Sequence, residues 1–233
     1  MFEIKKAGTQ VTQSTFSSAG GTALRINDVS ATVSDSLFSG NGDDGINIGV
    51  TTPDSVTDNV VSVTGCRFEK NGGAAITSHP NAVLNQSGNA MSGDGLAPLS
   101  NKINGIRLAA GDITRPIVWQ AGGLPYIVAD RSKIEVVRGN VRDAGGRIQG
   151  AMLTVEPGVV VKMGIDTQLV NSGGEMQIGP KIDGATGTFT PGAAMVLITS
   201  LLDDACDAQA TTRDCDTGGD GPSDPRPGSW AQL

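Results

Sequence analysis

Four phrases of the chain superimpose on one another: VTQSTFSSAGG at 11–21, VSDSLFSGNGD at 33–43, VTGCRFEKNGG at 63–73 and QSGNAMSGDGL at 86–96. In the first three, an apolar residue is followed by a small residue three places on, a large apolar residue two places later, and a glycine-containing turn. The fourth keeps the small residue, the large one and the turn. The large anchors are Phe16, Phe38, Phe68 and Met91, at spacings of 22, 30 and 23 residues. Eight positions beyond the first three anchors stand Leu24, Ile46 and Ile76. Self-similarity at such a period marks a solenoid, in which no coil buries its apolar face alone and the coils above and below do so. The spacing predicts two strands per repeat, in register from coil to coil, each coil rising about 4.8 Å. Phe16 and Phe38 then share one hydrophobic column.

Two further columns follow from the same alignment. Two places before each anchor stand Ser14, Ser36, Cys66 and Asn89, small residues that predict a tight inward bend and make Cys66 a small buried apolar residue. Three places after each anchor stand Ala19, Asn41, Asn71 and Asp94, followed by Gly20, Gly42, Gly72 and Gly95. Asn-Gly and Asp-Gly pairs tolerate positive φ, so these predict a ladder of identical corners. The polar, proline-containing stretch 49–59 and the stretch 94–102 read as outward loops that lengthen their coils. A leucine-rich repeat has a comparable period, but its leucine and asparagine pattern is missing.

Composition agrees with thin layers and many turns. Aromatic residues supply only 3% of the chain and glycine 33 of 233 residues, and no segment shows helical periodicity that outcompetes the β-like runs. The net charge of −7 and the scattered Lys and Arg argue against a nucleic-acid partner. No apolar run is long enough to span a membrane, and MFEIKKAGTQ lacks the apolar region of a signal peptide. Cys206 and Cys215 flank a short polar loop and suit a small disulfide ring in an oxidising compartment.

After ITRP (113–116) the texture changes. LPYIV (124–128), GAMLTVEPGVVVKM (150–163), LVNSGGEMQIG (169–179), LITSLLDDA (197–205) and DTGGDGPSDPRPGSW (216–230) carry β-rich runs between Gly and Pro turns, with two strands meeting around Glu156-Pro157-Gly158. These phrases resemble a segment of bacterial right-handed parallel β-helix repeat surface proteins, in the pectate-lyase-like superfamily. The resemblance covers most of the chain and is most specific over 117–230; around 129–147 and at 206–215 the chain departs from it. It implies an all-β, right-handed parallel β-helix, with coils over 1–113 and a continuing segment over 114–233, most simply one solenoid. It implies a secreted or cell-surface location, neighbouring β-helix or other domains in a larger protein, and ends without true caps.

The same resemblance directs attention to Asp43 and Asp44, because pectate-lyase-like enzymes use neighbouring aspartates to protonate a leaving group and activate water. His79 and Arg107 complete the candidate set. The first Asp motif of those enzymes is missing from the preceding coil, and His79-Pro80 does not match their Gly-flanked histidine. Solvated acids on a turn ladder are therefore the preferred reading of Asp43 and Asp44, and a surface loop residue that of His79. Asp216, Gly218, Asp220 and Gly221 resemble the first half of a calcium loop, with Asp214 as a further ligand; position three is Gly218 rather than Asp or Asn, and no Glu stands at position twelve. The functional expectation is a non-enzymatic spacer or adhesin that binds polysaccharide or a cell-surface glycan. The alternative is a polysaccharide lyase or glycoside hydrolase, which requires Asp43, Asp44, His79 and Arg107 to converge.

Overall fold

The computed structural model describes residues 1–51, 59–91, 100–139, 150–179 and 196–201. Among these residues every regular element is a strand, and every strand pairing is parallel. Strands far apart in sequence lie side by side, which is the signature of a parallel β-helix. The long sheet has eight strands, from Phe2–Ile4 through Leu24–Asn27, Ile46–Gly49, Ala74–Ser78, Ile103–Leu108, Tyr126–Val128 and Val160–Met163 to Leu197–Ser200. A second face stacks Thr9–Thr12, Ala31–Ser34, Val60–Thr64 and Val83–Ser87, and a third stacks Thr15–Ser17, Leu37–Ser39, Arg67–Glu69 and Ala90–Met91.

The register is the one the repeat predicts. Phe16 pairs with Phe38, Phe38 with Phe68, and Phe68 with Met91. The Phe16 and Phe38 rings stack at 4.9 Å and 2°, and those of Phe38 and Phe68 at 5.2 Å and 12°. Leu24, Ile46 and Ile76 form the inward column of the long sheet. The strand count differs: the structure has three strands per turn, not two. The inward bend at Ser14, Ser36, Cys66 and Asn89 splits the first run into two faces.

Each bend is one left-handed residue. Gln13, Asp35, Gly65 and Gly88 have φ of 47°, 50°, 61° and 60°, immediately before the small column. At the next corner Ser18, Gly40 and Lys70 have φ of 56°, 63° and 53°. The left-handed residue therefore precedes Asn41 and Asn71, rather than being the asparagine as expected. The bend takes a backbone N–H out of the strand ladder, and a buried N–H needs another acceptor. The inward side chain of the next coil supplies it. Ala19 N donates to Asn41 Oδ1 at 3.0 Å, Asn41 N to Asn71 Oδ1 at 3.3 Å, and Asn71 N to Asn101 Oδ1 at 3.2 Å. In return Asn41 Nδ2 donates to the carbonyl of Phe16, Asn71 Nδ2 to that of Phe38, and Asn101 Nδ2 to that of Phe68. Asn101, not Asp94, continues the column; Asp94 and Gly95 lie outside the described residues. The small column works alike, with Ser14 N donating to Ser36 Oγ at 3.1 Å and Cys66 N to Asn89 Oδ1 at 3.0 Å.

Gly45 is required by packing rather than by φ. A Cβ there would lie 2.8 Å from Phe68 Cδ1, 3.2 Å from Phe38 Cβ and 2.7 Å from the carbonyl oxygen of Ala75. The aromatic column leaves no room for a methyl group.

The change of texture after residue 113 is a re-sorting of faces around an unbroken long sheet. Asn81 Nδ2 donates to Thr114 Oγ1 at 3.0 Å and Thr114 N returns to Asn81 Oδ1 at 3.1 Å. Gln86 N donates to Gln120 Oε1 at 3.3 Å. Pro116–Trp119 thus lies over Val83–Ser87 and stacks onward with Met152–Val155 and Glu175–Ile178. Gly111–Ile113, Lys133–Val137 and Gln168–Ser172 open a separate face. Met152–Val155 and Val160–Met163 flank the Glu156-Pro157-Gly158 turn, with Gly158 at φ 87°. One hydrophobic core runs from Ile4 to Leu169.

Candidate functional site

Alternation along the long sheet sends one set of side chains inward and the next outward. Leu24, Ile46, Ile76 and Ile106 point in; Arg25, Asn47, Thr77 and Arg107 form the outward column beside them. Asp44 stands just before the Ile46–Gly49 strand, and Arg107 reaches back toward it. Arg107 Nη2 lies 3.6 Å from Asp44 Oδ2, and Arg107 Nε donates to Thr77 Oγ1 at 3.1 Å. Asn47 Nδ2 donates to the same Asp44 oxygen at 3.4 Å, while Asp44 Oδ1 accepts the backbone N–H of Ala74 at 2.8 Å. Gly73 makes room for this, since a Cβ there would stand 2.5 Å from both Asp43 Oδ1 and Asp44 Oδ1.

Asp44 is not the solvated acid expected of it. It is only 1% exposed, because its carboxylate replaces a strand partner for Ala74 and takes three donors around it. An acceptor already engaged by a backbone N–H, an amide and a guanidinium is held for structure. Asp43 beside it is exposed and accepts from Thr22 Oγ1 at 3.3 Å.

His79 stands apart from this pair. Its N–H donates to the carbonyl of Ile48 at 2.9 Å, which sets it level with Gly49. That is five strand positions beyond Asp44, about 16 Å along the strand. Its imidazole is half-buried, accepts the Asn81 N–H at Nδ1 (3.1 Å), and faces Gly111. Burial holds its pKa below the usual histidine value, the Arg115 charge pushes it the same way, and Asp112 and Asp28 oppose. The structure therefore brings Asp44 and Arg107 together, leaves Asp43 on the outer corner, and places His79 at the far end of the strand. Among the described residues no three His, Cys, Asp or Glu side chains lie together in a way that suits a metal ion. Asp214, Asp216, Asp220, Cys206 and Cys215 lie outside the described residues.

Cys66 is buried and free, with its thiol directed at the carbonyls of Thr64 and Val33. Burial pushes its pKa up, which outweighs the hydrogen bonds from its surroundings. Less thiolate is then present at mildly alkaline pH, and the thiolate is the reactive form. Titration with an aromatic disulfide reagent at pH 8 is expected to detect Cys66 only after denaturant is added; rapid labelling of the native chain contradicts its place in the column.

Comparison with protein-family models, curated proteins and solved structures gives no match to this chain. The geometry stands alone.

One pair of residues at the site escapes a reading of motifs. Thr77 and Asn47 join Asp44 and Arg107 only through the register of three coils. Asn101 carried a usable signal, since it follows Asn71 by 30 residues, the same interval that separates Asn41 from Asn71.

The structural role of Asp44 has a measurable consequence. Asp44→Asn keeps an oxygen for Ala74 N–H but gives up the ion pair, whose partner Arg107 is partly solvated. The expected loss is about 1 kcal/mol, read as a small drop in thermal midpoint; an unchanged midpoint would remove Asp44 from the fold's supports.

Proposed function

We propose that the chain is a shaft segment of a secreted or cell-surface protein, a non-enzymatic β-helix module that spaces other domains and adheres to polysaccharide. The observation that carries this reading is the use of its polar side chains. The asparagine column, the small column and Asp44 with Arg107 all bind one coil to the next, and none is left convergent on an open cleft with a free carboxylate. The resemblance to right-handed β-helix repeat surface proteins supports the extracellular setting. A glycan array, joined to pull-down on cell-envelope polysaccharides, is the test. Retention without turnover is expected. Release of reducing ends or unsaturated products from a retained polymer would overturn the non-enzymatic reading, and failure to retain any glycan would leave the spacer role alone.

A polysaccharide lyase or glycoside hydrolase is the second reading, favoured by the contact of Asp44 with Arg107 on the outer face of the long sheet. It predicts turnover of acidic polysaccharide that Asp44→Asn abolishes while the variant stays folded. For the acidic loop 206–224, the proposal of a calcium-stabilised turn rests on its sequence. A chelator is expected to lower the melting temperature, and Asp220→Ala to erase that shift; an unchanged temperature with chelator ends the calcium reading.

A further inference from the structure

The second face differs from the rest of the surface. Its four strands in the first half, Thr9–Thr12, Ala31–Ser34, Val60–Thr64 and Val83–Ser87, contain no Asp, Glu, Lys or Arg. Val11, Val33 and Val63 point inward, so the alternate residues point out. Gln10, Thr32, Ser62 and Asn85 align in one outward column, and Thr12, Ser34, Thr64 and Ser87 in the next. All are exposed or half-exposed. None of these side chains takes part in a hydrogen bond or ion pair among the described residues. On the other faces several outward polar groups are engaged, among them Arg67 with Glu69, Ser39 with Glu69, and Arg107 with Thr77.

We infer that this face is a docking strip for a linear, neutral polysaccharide lying along the solenoid axis. The inference deepens the glycan-adhesion reading and rests on it, adding the site and the ligand class. Rungs repeat about every 4.8 Å, with columns about 6.6 Å apart, so the strip offers hydroxyls and amides at a repeat close to one sugar of an extended chain. A single sugar would gain only one or two hydrogen bonds, each a modest net contribution in water. A polymer in register collects several at once, and each further contact is intramolecular. The short Ser and Thr side chains have little rotamer freedom to lose. Charge selects the ligand: the chain carries a net −7 and the strip has no cation to offset an acidic polymer, so uronates and sulfated chains are repelled.

The test is retention of the full chain on cellulose and chitin particles, and on immobilised alginate and polygalacturonate as acidic controls. The chain is expected to be retained on a neutral polymer and to pass the acidic ones. Thr32→Lys combined with Thr64→Lys should weaken neutral retention by roughly tenfold or more, while Arg107→Gln leaves it unchanged. Thr32→Val with Thr64→Val removes only the hydroxyls and suits a strand; it should also weaken retention, and it covers the case in which the lysine pair fails to fold. Retention on acidic polymers alone, or retention lost with Arg107→Gln and kept by both Thr32/Thr64 pairs, overturns this strip while glycan adhesion stands. No retention on any polymer overturns both. Arrest of ice growth without glycan retention, lost in the same double variants, would assign the strip to an ice surface and overturn the inference.

Discussion

Phe38→Ala is expected to lower stability by about 3–5 kcal/mol, the range for removing a fully enclosed aromatic side chain. Phe38 has no exposed surface and sits between Phe16 and Phe68, with stacked rings on either side at 4.9 Å and 5.2 Å. Its loss removes both stacking contacts and leaves a cavity that the neighbours cannot close. The rungs are held at the strand spacing by backbone ladders above and below, so the coils cannot move together to fill it. Aromatic pairs of this kind add about 0.5–1.5 kcal/mol beyond their buried area, and two are lost at once. Phe16→Ala is the internal reference, since Phe16 is only partly buried at the edge of the core and tilted against Phe2 at 6.3 Å and 56°. It should cost less than Phe38→Ala. Urea denaturation of both variants measures the difference, and equal losses would mean that the column does not work as a stack.

The column of anchors was legible in the sequence because each rung uses a residue of one kind. Phe16, Phe38, Phe68 and Met91 are large and apolar, and Leu24, Ile46 and Ile76 are aliphatic; a register error of one residue would turn each outward. The third strand of each coil was hidden because its bend is made by Gln13 and Asp35 as well as by glycines, and single non-glycine residues reach the left-handed region for about 1–2 kcal/mol. Such a residue has no fixed letter. The continuation at Asn101 was masked by the insertion before it, which made Asp94-Gly95 the nearer match. The re-sorting of faces had no motif at all: it is carried by Asn81 meeting Thr114 and by Gln86 meeting Gln120, pairs that no local pattern singles out. The burial of Asp44 is hidden in the sequence for a related reason. Next to Asp43 on a turn it looks solvated, and only the third coil's glycine at 73 and the fourth coil's Arg107 make it a buried carboxylate.

Asn71→Asp changes a single atom of the interior and is expected to cost about 3–5 kcal/mol at neutral pH, the scale of an uncompensated buried charge. Asn71 is 2% exposed and works as acceptor and donor together. Its Oδ1 accepts from Asn41 N at 3.3 Å and Asn41 Nδ2 at 2.8 Å; its Nδ2 donates to Phe38 O at 3.1 Å and Asn101 Oδ1 at 2.7 Å. An ionised aspartate only accepts. It would keep the contacts to Asn41 but set an oxygen against two acceptors, with a charge shut away from water. Protonation relieves both faults, because the carboxylic acid donates one hydrogen bond and carries no charge. The substituted carboxyl is therefore held above the ordinary aspartate pKa of about 3.9 in the folded state. A folded-state pKa above the unfolded one means that the folded variant binds more protons, so its stability falls as pH rises through that interval. Relative to the unsubstituted chain, the deficit should be smallest near or below pH 4 and should grow to its full size by pH 7. Asn71→Leu removes the same donors and acceptor without a titratable group, so its deficit relative to the unsubstituted chain should not vary with pH. Urea midpoints for the three chains across pH 4 to 7 separate the cases. A deficit for Asn71→Asp that does not change with pH would show that Asn71 does not face the carbonyl groups of Phe38 and Asn101, and the directional ladder between coils would lose its central rung.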